Sequence, residues 1–328
     1  MKENVVVTGG AGFIGSHLVD LLLQKDCRVY VVDNLSTGRI DNINHFKDKI
    51  NFYNCDLSED CNAISEIISD ADYVYHLASL ADIVPSIKHP EIYFKANVQG
   101  TLNLLKLCNP KKLKKLVYAA SSSCYGIAKE FPTPESADVI PEYPYALTKN
   151  IGEQLVMHWA RLYKLKSVST RFFNVFGTRS RTSGTYGAVF GVFLAQKIAG
   201  RPLTIVGDGN QKRDFTYVTD VCQGMYLAAK STYEKSIFNI GSGNPQSVNY
   251  LAELIGGDKV FIPKRPGEPD ITHADISKAK LELGYSPKVT FEEGVKKVLD
   301  EISYWKEAPV WTPEQIENET KEWFEFLN

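Results

Sequence analysis

Asn4-Val5-Val6-Val7-Thr8-Gly9-Gly10-Ala11-Gly12-Phe13-Ile14-Gly15-Ser16 joins an apolar strand to a helix start through a turn in which glycine recurs at Gly9, Gly12 and Gly15. The first of these glycines permits the tight turn and the second lets backbone approach a pyrophosphate. The third lets helix pack on strand, and the helix N-terminus offers free N–H donors to an anion. A second apolar run, Val29 to Val32, ends at Asp33, where a ribose-binding carboxylate is expected. An unpaired carboxylate there repels a 2′-phosphate, so NAD is favoured over NADP. Arg39 opposes that choice, but it falls beyond the turn Asn34-Leu35-Ser36-Thr37-Gly38 and is expected to face solvent.

Outward from this unit, β-branched runs alternate with helical patterns at Asn4–Thr8, Arg28–Val32, Ile50–Tyr53, Tyr73–His76, Lys115–Ala119 and Ser167–Arg171. Runs apolar on both sides and spaced for crossover helices predict an α/β fold, a Rossmann-type doubly wound parallel sheet covered on both faces. After Asn174 the texture changes to a Gly/Ser/Thr-rich loop, Thr178–Gly187, then a helix to Gly200 and short mixed elements. Asp214–Ala229 and Ile237–Ile240 again read as buried strand and helix. The expected division is a cofactor-binding domain over 1–174, re-entered at about 214–241, and a smaller mixed α/β substrate domain over 175–213 and 242–328. The tail from Trp305 holds three of the four tryptophans and reads as packed cover.

At 328 residues and 44% hydrophobic the chain can bury a substantial core, and a formal charge of -2 leaves no global field for nucleic acid or an anionic membrane. No window approaches the roughly 20 uncharged apolar residues that span a bilayer. Without a secretory pattern after Met1, a cytoplasmic location is expected. The six cysteines, Cys27, Cys55, Cys61, Cys108, Cys124 and Cys222, form no CxxC pair and read as reduced buried thiols, with no metal expected.

Tyr145-Ala146-Leu147-Thr148-Lys149 puts a tyrosine and a lysine four apart on one helix face. Upstream, Ser121-Ser122-Ser123-Cys124-Tyr125-Gly126 closes a strand. Together they supply what hydride transfer from an alcohol needs. A nearby ammonium and a positively charged nicotinamide are expected to lower the Tyr145 phenol from its ordinary value near 10, so that it takes the hydroxyl proton. Ser121 would hold the sugar oxygen in both alcohol and ketone states.

These motifs, with Arg171-Phe172-Phe173-Asn174, Gly207-Asp208-Gly209, Arg213-Asp214-Phe215, Arg265-Pro266-Gly267-Glu268 and Ala274-Asp275-Ile276-Ser277-Lys278-Ala279, resemble extended short-chain dehydrogenases acting on nucleotide sugars, over essentially the whole chain. The resemblance implies that Gly9, Gly12, Phe13, Ile14, Gly15, Asp33, Asn34, Ser36, Thr37, Gly38, Asp56, Leu57, Leu77, Ala78, Ser79, Ala81, Asn97, Tyr145, Lys149 and Phe173 line the dinucleotide. It implies that Ser121, Ser122, Ser123, Tyr145, Asn174, Ala188, Val189, Arg213, Arg265 and Thr272 meet a nucleotide-sugar substrate, most simply a UDP-sugar. Paired arginines suit a diphosphate, because each guanidinium can bond two oxygens at once. The resemblance also suggests a homodimer through helices near Glu91–Cys108 and Tyr145–Tyr163.

Within this family, 4,6-dehydratases and related decarboxylases carry a Glu, often preceded by Asp, two residues before the tyrosine of the Tyr-Gly pair. Those places hold Ser122 and Ser123, which shuttle no protons unaided at neutral pH. A 3,5-epimerase would want a cysteine acid where Ser123 stands. Cys124 is one position late and, on a strand, points to the opposite face. A 4-epimerase, needing oxidation and re-reduction at one carbon, is therefore the expected activity. In the resembling epimerases, a residue seven beyond the second substrate arginine gates the 2-substituent. Counting from Arg265 gives Thr272, small enough to admit a 2-acetamido group.

Overall fold

Strand alternation sends the opening valines into two different cores: Val5 and Val7 join one buried cluster and Val6 the other. Leu116, Tyr118 and Ala120 alternate with Val117 and Ala119 in the same way. A sheet apolar on both faces has to be covered on both, and parallel pairing with crossover helices accomplishes this. The structure, a computed structural model, describes residues 2–59, 62–180 and 189–327.

Seven strands form the main sheet. In chain order they are β1 (Asn4–Thr8), β2 (Arg28–Asp33), β3 (Ile50–Asn54), β4 (Tyr73–His76), β5 (Lys115–Ser121), β6 (Ser167–Phe172) and a seventh, Ser236–Ile240. Their spatial order is Ser236–Ile240, β6, β5, β4, β1, β2, β3, and every pairing is parallel. The order reverses between β1 and β4, which opens a crevice at the carboxyl ends of the strands.

All six expected runs of the first half are strands, several of them longer by one or two residues at the carboxyl end. The helix expected from Tyr145 starts one residue earlier and covers Pro144–Leu162, with its proline in the first turn, where a missing N–H costs nothing. The chain does return to the main sheet after residue 214, through the helix Val218–Lys230 and the strand Ser236–Ile240. Outside that sheet, Leu203–Val206 pairs in parallel with Lys259–Ile262, and Lys212–Arg213 pairs antiparallel with Gln246–Ser247.

The β1 turn is built on backbone contact. Gly9 has φ +70, and a Cβ there would lie 2.7 Å from the Ala78 nitrogen. At Gly15 a Cβ would lie 2.1 Å from the Gly9 carbonyl oxygen, whereas at Gly12 the nearest atom would be 3.1 Å away. Gly15 thus closes the turn internally, while a Cβ at Gly12 would meet only the Gly9 carbonyl oxygen, in a tight contact that a shift of a few tenths of an ångström relieves. Gly15→Ala is expected to destabilise the fold by about 2 kcal/mol or more, as overpacking against rigid backbone does. Gly12→Ala should cost well under half of that. Urea unfolding of both variants is the check, and equal losses would contradict this reading of the turn.

Candidate active site

At the switch point the carboxyl ends of β1, β2, β4, β5 and β6 open onto a cavity of about 680 Å³. One end is made by the glycine turn. The helix Phe13–Gln24 begins there with Gly12 as its cap and no side chain satisfying its first N–H groups, so those donors are available to an anion. Asp33 is buried, and its two carboxylate oxygens accept the Ala11 and Leu35 N–H groups at 2.9 and 2.8 Å. It therefore pins the glycine turn to the end of β2. Burial pushes its carboxyl up against these two hydrogen bonds. Asn34 Nδ2 donates to Asp56 at 2.9 Å, which joins the ends of β2 and β3.

The opposite wall carries the polar constellation. Ser121 is the last residue of β5, and Tyr145 and Lys149 lie one turn apart on Pro144–Leu162. Burial raises the Tyr145 phenol above its ordinary value, while hydrogen bonds with Ser121 and Ser123 pull it back. Ser123 Oγ also donates to Ser121 Oγ at 2.8 Å. Lys149 Nζ donates to Ser79 Oγ at 3.3 Å and sits 4.8 Å from the centroid of the Tyr118 ring. Burial pushes its ammonium down to about 7, against the attraction of Glu153 one turn further on. In the polypeptide alone the phenol thus stays above its ordinary value, and the expected lowering calls for the nicotinamide's charge as well. Desolvation of Tyr145, with the nearby Asp82 carboxylate, outweighs the Ser121 and Ser123 hydrogen bonds.

Of the residues expected to meet a dinucleotide, Gly9, Gly12, Phe13, Ile14, Gly15, Asp33, Asn34, Ser36, Thr37, Asp56, Leu57, Leu77, Ala78, Ser79, Ala81, Tyr145 and Lys149 line this cavity. Gly38, Asn97 and Phe173 do not. Gly38 is packed beneath Asp33, where a Cβ would lie 2.8 Å from Oδ1. Phe173 is buried in the core. Asn97 spends its amide internally: Oδ1 accepts from the Leu80 N–H at 2.8 Å, and Nδ2 donates to the Leu80 carbonyl and to Thr148 Oγ1, each at 3.0 Å. Asn97 thus couples the loop after β4 to the helix bearing Tyr145. Arg39 departs from expectation too. It lines the cavity, lies 3.6 Å from Asp41 and stacks 5.1 Å from the centroid of Tyr304.

Among the expected substrate contacts, Ser121, Ser122, Ser123, Tyr145, Asn174, Val189, Arg213, Arg265 and Thr272 line the same cavity. Ala188 lies outside the described residues, as does Cys61. Thr272 Oγ1 donates to Asn174 Oδ1 at 2.7 Å and accepts from the Asp214 N–H at 3.1 Å. Arg213 Nη2 reaches Glu268 at 2.8 Å, with Arg265 Nη1 4.0 Å from the other oxygen of the same carboxylate. Cys124 does not lie on a strand, so the alternation expected there does not apply. Ser122–Tyr125 is a 3₁₀ turn, in which Cys124 is buried and its thiol pushed up to about 12 by desolvation.

Asp82, Glu142, Tyr143, Arg179, Trp311 and Trp323 also line the cavity, none of them anticipated as site residues. Tyr143 lay two positions from the tyrosine in plain view, and only the tertiary fold could place the rest. Among the described residues no group of three or more His, Cys, Asp or Glu gathers as metal ligands do, and no helix is long and apolar enough to cross a membrane.

The family model described as GDP-mannose 4,6 dehydratase matches residues 6–298. The chain belongs to this short-chain dehydrogenase-type family of nucleotide-sugar epimerases and dehydratases. It is 36% identical to a UDP-glucose 4-epimerase of Thermotoga maritima solved with UDP-glucose, with a TM-score of 0.84 and coverage of 93% of this chain and 99% of that one. A UDP-N-acetylglucosamine 4-epimerase of Methanobrevibacter ruminantium is 34% identical, with a TM-score of 0.84 over 92% of this chain and 100% of that one. A UDP-glucuronic acid 4-epimerase of Bacillus cereus, solved with UDP-glucuronic acid and NAD, is 33% identical, also with a TM-score of 0.84, over 92% and 99%.

Behind the site, Glu153 and Arg171 form a buried pair. Arg171 Nη2 and Nε donate to the two Glu153 oxygens at 2.6 and 3.1 Å, and Ser169 Oγ donates to the same carboxylate at 2.7 Å. Glu153→Gln leaves a buried guanidinium without its counter-charge and is expected to cost about 3–5 kcal/mol. Glu153→Gln combined with Arg171→Met should recover part of that loss. Chemical denaturation of the single and double variants measures both, and a single-variant loss below about 1 kcal/mol would show that the pair does not anchor the helix.

Proposed function

We propose that the protein is an NAD-dependent nucleotide-sugar 4-epimerase that inverts C4 of a UDP-hexose through a transient 4-keto sugar. The observation that carries this reading is the convergence on one cavity wall of Tyr145, hydrogen-bonded to Ser121, with Lys149, while hydroxyls stand at 122 and 123 where elimination would want an acid and base. The 4-epimerase relatives support it.

The residues at the glycine turn fit a dinucleotide: Gly12 leaves the backbone bare on the cavity wall, the helix start has unspent donors, and the Asp33 carboxylate at the end of β2 would disfavour a 2′-phosphate. Bound NAD supplies a hydride acceptor at C4 and a positive charge beside the phenol. Lys149 adds its own charge whenever it is protonated, and Tyr145 then takes the C4 hydroxyl proton while Ser121 keeps hold of the oxygen. The keto sugar turns about its phosphate linkage to present its other face, where C4 would be re-reduced by return of the same hydride while Tyr145 gives the proton back to the C4 oxygen. Arg213 and Arg265 hold the diphosphate, sharing Glu268 with it.

Thr272, tied down by Asn174, leaves room beside the sugar. UDP-N-acetylglucosamine is accordingly proposed as a substrate alongside UDP-glucose. Residues 1–174 and 214–241 form the cofactor unit in this reading, with 175–213 and 242–328 holding substrate. Exposed Ile92, Phe94, Leu147 and Tyr163 support a homodimer through the two helical segments that carry them. Asp82 and Glu142 on the cavity wall favour a 4,6-dehydratase as the second reading, since they are carboxylates available for proton transfer.

NMR of purified protein with UDP-glucose and UDP-N-acetylglucosamine separates the two. Interconversion of a gluco/galacto pair without accumulating NADH is expected, and a 4-keto-6-deoxy product would overturn the epimerase reading. Tyr145→Phe should lower kcat by about 10²–10⁴-fold, the usual contribution of a positioned acid–base. Size-exclusion chromatography with light scattering should give twice the chain mass.

A further inference from the structure

The tryptophan-bearing tail lies beyond residue 298, where the match to the family model ends. It lies along the cavity and supplies Tyr304, Ala308, Pro309, Trp311 and Trp323 to its wall.

Its two ends meet opposite ends of the site. At the first, Tyr304 donates its hydroxyl to Asn42 Oδ1 at 2.9 Å and offers its ring to Arg39 at 5.1 Å. Asn42 in turn donates to the Ala11 carbonyl in the glycine turn at 2.9 Å. At the other, Trp323 is buried, donates Nε1–H to the Pro266 carbonyl at 2.6 Å and places its ring 5.7 Å from the Arg265 guanidinium and 6.0 Å from Tyr143. Leu327 packs beside Gly267 in the same arginine-bearing turn. Between them, the Trp311 carbonyl accepts from Gln196 Nε2 at 2.8 Å, and Glu319 pairs with Lys88 at 2.7 Å.

We propose that residues 302–327 form a strap that completes both nucleotide sites, Tyr304 bracing Arg39 over the dinucleotide end and Trp323 positioning Arg265 for the substrate's nucleoside diphosphate. Trp323 acts through the Arg265-Pro266-Gly267-Glu268 turn, backing with its ring the guanidinium that Glu268 faces from the other side of the turn. Tyr304 acts through Arg39 and Asn42, which frame the turn that receives the cofactor pyrophosphate. This assignment of ends rests on the nucleotide-sugar reading of the cavity.

The test uses the full chain and measures binding, so that it does not depend on turnover. Trp323→Ala is expected to weaken UDP binding by about tenfold in calorimetry, as loss of one cation–π contact and one hydrogen bond would, with NAD content per chain after gel filtration unchanged. Tyr304→Ala is expected to lower NAD content and leave the UDP Kd within about twofold. If both variants retain wild-type UDP affinity and NAD content, the strap is overturned. It is equally overturned if each variant damages both ligands together with a matching fall in Tm, since that is what a merely structural tail predicts. Wild-type protein that binds UDP and NAD but inverts no sugar would sink the epimerase reading and leave the strap standing.

Discussion

A single buried carboxylate organises the catalytic wall. Glu153 lies one helical turn beyond Lys149 and two beyond Tyr145, and it accepts from Arg171 and Ser169, which point to it from the neighbouring strand β6. Burying charges this way does not stabilise a fold cheaply, because desolvation costs rival the Coulomb gain. What it provides is orientation: the pair locks the rotation of the helix about its axis, and with it the direction of the phenol and the ammonium. The network runs on through Arg171, which lies 4.8 Å from the centroid of the Tyr125 ring, to the Tyr125 hydroxyl, which donates to Asn239 Oδ1 at 2.8 Å. Asn239 belongs to the strand through which the chain re-enters the sheet, and its amide reaches the Thr133 and Asp275 carbonyls at 3.0 and 3.3 Å. Segments distant in sequence are thereby held to one another by satisfied polar groups.

Electrostatics then divide the cavity. Lys149 is kept marginally charged, with burial opposing Glu153, so its state responds to whatever charge is placed beside it. The Tyr145 phenol is biased towards its protonated form until a positive neighbour arrives.

The periodicities of the chain made the main sheet legible, because both-sided apolar runs leave few alternatives to a covered parallel sheet. The glycine turn was equally legible, since its spacing encodes backbone contacts that any side chain would break. Three features were not. Ser122–Tyr125 carries no glycine or proline to announce that β5 ends in a 3₁₀ turn, so strand alternation does not extend to Cys124, three residues beyond the end of β5. Asn97 looked like a ligand contact, but a side-chain amide satisfies a loop and a helix equally well, and only the fold shows that it joins Leu80 to Thr148. Arg39 is the third: the ring beside it on the cavity wall belongs to Tyr304, 265 positions away, and no local pattern reports that contact.

The distribution of groups along the cavity also bears on the chemistry. Next to Tyr145 the hydrogen-bonding partners are the Ser121 and Ser123 hydroxyls, and Thr272 and Asn174 are likewise neutral. Hydroxyls donate or accept as required, so they can serve a sugar presenting either face and either oxidation state at C4. The guanidiniums Arg213 and Arg265 are instead gathered around Glu268, in rigid forks that suit a diphosphate. In the proposed reaction, directional charge at the nucleotide end and adaptable hydroxyl contacts beside Tyr145 would let one part of the ligand turn while the other stays fixed. A site that gripped the sugar by ion pairs would lose that freedom, because each turn would break a desolvated charge contact of several kcal/mol.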